Sequence, residues 1–73
     1  MLSDDPVVQR LLKESEAFQR LWARHQRYEL QLAELDRIPH LTPAQELERK
    51  NLQKLKLAGK DKMAAIVREA GGR

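Results

Sequence analysis

VVQRLLKESEAFQRLWARHQRYELQLAEL, residues 7–35, is the stretch whose reading decides the fold. Within it Val7, Leu11, Phe18, Leu21, His25, Tyr28, Leu32 and Leu35 recur at alternating spacings of three and four, and Glu14 is the one charged residue in the series. At 3.6 residues per turn, that series draws one largely apolar stripe along one face of a helix. A lone helix cannot bury such a stripe. The stripe therefore requires a partner helix, either later in the chain or in a second copy.

Working outward, the limits of this first helix are marked by local chemistry. Asp5 can cap it, with Pro6 at the first helical position, where a missing N–H costs nothing. Ser3 is an alternative cap. No further Pro and no Gly occurs before Arg37, and helix formers such as Gln9, Arg10, Lys13, Glu16, Gln19 and Arg20 fill the outward positions. One continuous helix over about 6–37 is expected, roughly 45–50 Å long. Ile38-Pro39-His40-Leu41 ends it, because Pro39 disfavours helical geometry at Ile38. Thr42-Pro43-Ala44-Gln45 then opens a second helix, with Thr42 and Gln45 spaced as a capping box. This helix is expected over about 43–70, with the loop at 38–42 and a tail at 71–73. So short a connection makes the two helices antiparallel neighbours.

The apolar face of the second helix reads Leu52, Leu55, Met63, Ile66 and Ala70. Gly59 falls on that face and costs about 1 kcal/mol relative to Ala inside a helix. Two structural readings suit it, close approach of the helix backbones or a slight kink, and one functional reading, a ligand notch. Gly71 is placed to end the helix.

The bulk numbers agree with a small helical domain. The chain has 73 residues and no cysteine, so neither a disulfide nor a Cys-based zinc site can staple it. A domain of this length buries only about 60% of its unfolded surface, and self-association would help. Charged residues make up 34% and aromatics 4%, a balance that suits solvated helices. The acidic N-terminus lacks the basic start and apolar core of a signal peptide, and the longest apolar run, Met63–Val67, is far too short to span a membrane. A soluble, cytoplasmic protein without membrane contact is expected.

The stripe also carries a resemblance. Phe18, Leu21, Trp22, His25, Tyr28, Leu32 and Asp36 stand at the spacings of the first-helix signature of the YdcH-like family, and Leu52, Lys56-Leu57, Lys60-Asp61 and Met63 are similar to its basic, Leu-rich second helix. The resemblance covers residues 7–69. It departs at Gly59, where Leu is usual, and at Leu55, where a polar residue is usual. It implies a bacterial helical hairpin whose biochemical role is not established, and it brings no activity, cofactor or partner.

A few residues invite a chemical reading. His25, inside the stripe, reads as a polar contact that sets helix register, with a pH sensor or a metal ligand as alternatives. Glu29 is its one carboxylate neighbour at helical spacing, and a lone imidazole–carboxylate pair is too few for zinc. Trp22 and Tyr28 flank the stripe, as edge packing or as anchors for a partner. Val8, Leu12 and Leu30 point away from it and suggest a second contact face for a homodimer. Arg49, Lys56 and Lys60 line one edge of the second helix. Six basic residues and one acid lie between Arg49 and Lys62. Such a stripe is usually a solvated face, although an acidic protein or nucleic-acid phosphates could bind there. No interleaved aromatics, Gly-rich phosphate loop or recognition-helix motif accompanies it.

The sequence therefore predicts an all-α, coiled-coil-like antiparallel two-helix hairpin that dimerises into a four-helix bundle. Its expected helix–helix interface is Phe18, Leu21, Trp22, His25, Tyr28, Leu32, Leu52, Met63 and Ile66. The functional expectation is a non-enzymatic interaction or structural protein with a second copy or another protein as partner. The alternative is a weak, sequence-independent nucleic-acid binder using Arg49, Lys56 and Lys60. No catalytic, cofactor-binding or metal-ligating residue is expected.

Overall fold

A computed structural model of the chain describes residues 5–71. Those residues form three helices: α1 over Pro6–Glu14, α2 over Glu16–Asp36 and α3 over Pro43–Gly71. No strand occurs among the described residues. The alternative cap Ser3 and the end of the expected tail, Gly72 and Arg73, lie outside them.

The start of α1 follows the sequence reading. Asp5 has extended backbone, and its carboxylate accepts a 2.8 Å hydrogen bond from the Val7 N–H, with Pro6 opening the first turn. The end of α1 does not. A single helix over 6–37 was expected, and the chain instead breaks at Ser15, whose backbone is extended at φ −112°, ψ 112°. Ser15 closes one helix and opens the next. Its N–H donates to the Leu11 carbonyl at 2.8 Å, and its Oγ accepts from the Phe18 N–H at 3.1 Å. The Gln19 side chain then donates to the Leu12 carbonyl at 2.7 Å, bridging the break. The expected pair of helices is therefore corrected to three.

At the other end of α2, the Arg37 and Ile38 N–H groups donate to the Glu34 and Leu35 carbonyls, tightening the last turn. The capping box opens α3 as its spacing requires: the Gln45 N–H donates to Thr42 Oγ1 at 3.1 Å, and the Thr42 N–H donates to Gln45 Oε1 at 3.0 Å.

Contacts between the helices show their direction. Asp36 meets Arg49 and Glu29 meets Lys56, while Phe18 and Met63 share a cluster further along. Residue numbers fall along α2 as they rise along α3, so these two helices run antiparallel. α1 lies against the last turns of α3, where Arg10 Nη2 donates to the Ala70 carbonyl at 3.3 Å. Gly71 is part of the helix here, and a Cβ at that position would stand 3.3 Å from a Val7 methyl. The closer helix approach at a glycine is therefore at Gly71, where an alanine would require Val7 to give by a few tenths of an ångström. The molecule is elongated, 46 × 19 × 16 Å.

The core is split in two. Val8, Phe18 and Met63 are fully buried in one cluster, with Leu11, Leu12, Leu21, Trp22, Ile66 and Val67 packed around them. Leu32, Leu35 and Leu52 form the other, near the loop, with Tyr28, Ile38 and Leu41 against it. Val8 was expected on an outer face. The break at Ser15 resets the rotation of α1 relative to α2, and Val8 turns inward. Leu12 follows it as a partly buried neighbour, whereas Leu30 stays exposed. Leu55, expected on the buried face of the second helix, is half exposed.

Candidate interaction surface

Between the two apolar clusters lies a polar waist. His25, one turn after Leu21 on α2, is 15% exposed, and its Nε2 stands 3.4 Å from Glu29 Oε2. The same carboxylate oxygen is 3.3 Å from Lys56 Nζ on α3. Glu29 thus bridges the helices, with the imidazole on one side and the ammonium on the other. His25 Nδ1 is buried and has no hydrogen-bond partner among the described residues. An unpaired buried polar atom costs about 1–3 kcal/mol, so the waist is a place of stored cost rather than of core packing.

Opposite His25, the α3 backbone presents Gly59. A Cβ built there would meet no atom within 4 Å. Close approach of the helix backbones, one of the structural readings of Gly59, is therefore corrected: the neighbouring side chains leave open space instead. α3 is assigned as one helix through this point, so no break accompanies the glycine. The space forms a notch of about 100 Å³ lined by residues of both helices, among them Leu21, Arg24, His25 and Tyr28 of α2 and Leu55, Lys56 and Lys62 of α3.

A larger groove of about 690 Å³ runs along the seam, lined by Trp22, Gln26, Gln53, Leu57 and Lys60 among others. The notch and the groove share only His25 and Lys56, which places them on either side of the α2–α3 seam. Trp22 reaches the groove while its ring stacks on Phe18, centroids 6.2 Å apart. Leu30, Leu47, Leu55 and Leu57 are each at least half exposed.

Of the residues expected at the helix–helix interface, Phe18, Leu32, Leu52 and Met63 are buried, and Leu21, Trp22, Tyr28 and Ile66 are partly buried against them. His25 sits at the waist between the clusters. Sequence reasoning missed the burial of Val8. The available signal was Ser15 followed by Glu16, a cap and a first-turn acid, at the point where Glu14 interrupts the stripe.

The basic stripe divides. Arg49 Nε donates to Asp36 Oδ1 at 3.0 Å, and Lys56 pairs with Glu29, so two of its three cations face carboxylates of α2. Lys60 borders the groove with no ion pair among the described residues. No group of three or more His, Asp or Glu side chains that could hold a metal ion occurs among the described residues. None of their helices is long and apolar enough to cross a membrane. Comparison with protein-family models, with curated proteins and with solved structures finds no match.

Proposed function

We propose that this chain is a small non-enzymatic protein that works through helix–helix contacts, and that its first partner is a second copy of itself. In this reading two antiparallel α2–α3 hairpins associate as a four-helix bundle in the cytoplasm. The resemblance to the YdcH-like family belongs to the same reading.

The observation that carries it is uncovered apolar surface: Leu30, Leu47, Leu55 and Leu57 are each at least half exposed, against a core of six buried hydrophobic residues among those described. The seam groove with Trp22 and Leu57 is the surface best suited to the second copy, since Trp is enriched among residues that dominate binding energy.

Light scattering at high micromolar concentration tests this. The expected mass is twice that of the chain, and Leu57→Lys is expected to return it to one chain with helical circular dichroism unchanged. A single-chain mass for the unsubstituted protein would overturn the proposal. The ion pairs at Arg49 and Lys56 weigh against nucleic acid as the partner, because phosphates would have to displace carboxylates already in place.

A further inference from the structure

We infer that the notch over Gly59 is a binding site for a single phosphate group, carried by free phosphate or by a small phosphate monoester.

Two observations converge on it. The first is charge. Arg24 of α2 and Lys56 and Lys62 of α3 all line the notch, and no Asp or Glu does. Lys56 shares its charge with Glu29, which lines only the opposite groove, whereas Arg24 and Lys62 have no carboxylate partner among the described residues. Three cations around one small space suit a group carrying close to two negative charges, as a phosphate monoester does near neutral pH. The Arg guanidinium offers a planar fork to its oxygens, and the two ammonium groups offer point charges.

The second is space. The notch is about 100 Å³, several times the room that one buried water needs and enough for a small oxyanion. The opening exists because residue 59 has no side chain, and no packing contact requires that absence.

The site is independent of the pairing of two copies, which uses the groove on the other side of the seam. It is tested by amide chemical-shift titration of the whole chain with inorganic phosphate and, separately, with glycerol phosphate, against sodium chloride at matched ionic strength. Saturable shifts confined to residues around Leu21–Tyr28 and Leu55–Lys62 are expected with at least one of the two. Tighter binding of phosphate identifies the free anion, and equal or tighter binding of the ester identifies a monoester head group. Arg24→Gln and Lys62→Gln, both at exposed positions, are expected to weaken binding about tenfold each, an amount typical of one charge-assisted hydrogen bond. Gly59→Leu is expected to abolish it by filling the notch. Shifts that chloride reproduces, or unchanged affinity in both glutamine variants, would overturn the inference whether or not the leucine variant folds.

Discussion

Single residues at the waist carry the most information about this protein, and Gly59 is the one whose role the structure changes. On the sequence it stands where a core leucine would suit the apolar face of the second helix. In three dimensions it lies beside an opening, with Arg24 and Lys62 around it instead of a packed neighbour. Since an added methyl meets nothing, Gly59→Ala is expected to raise stability by about 1 kcal/mol, the helix-propensity difference. Chemical denaturation would show this as a higher midpoint with unchanged slope. A lower midpoint would mean that the helices close over residue 59. His25 was legible as a polar residue inside the stripe, but its two nitrogens were not. That Nδ1 is buried with no partner among the described residues depends on which side chains pack alongside, and a heptad count contains no such information.

Among the elements, the caps were the most legible features and the Ser15 break the least. Thr42 and Gln45 satisfy each other's backbone groups within four residues, so their bonds depend on nothing distant. Asp5 caps α1 by the same local logic. Ser15 uses that chemistry too, yet it sits inside a run of good helix formers, where a cap worth about 1 kcal/mol competes with simple helix continuation. Packing decides the contest, because the break lets Val8 join Phe18 and Met63 and lets α1 lie on the end of α3. Ser15→Ala is therefore expected to cost about 1 kcal/mol in chemical melts. Equal or higher stability with stronger helical circular dichroism would mean that one continuous helix satisfies the stripe equally well.

For the whole molecule, the balance of surface and core governs behaviour. In the proposed pairing, a second copy covers the exposed leucines of an elongated chain with two small clusters and so stabilises it. Its melting temperature is therefore expected to rise with protein concentration, by mass action, as it does when the paired state is folded and the separated one is less stable. A melting temperature constant over a hundredfold dilution range would argue for a self-sufficient monomer. All-helical character, the Pro39 loop and the side of each helix that holds Phe18, Leu32, Leu52 and Met63 were determined by the sequence alone, because periodicity, proline and capping act within a few residues. The tertiary structure alone decided that Val8 turns inward, that the core divides around His25, that Arg49 and Lys56 face carboxylates, and that Gly59 borders an opening. Each of those depends on the rotation and register of one helix against another, which distant side chains settle together.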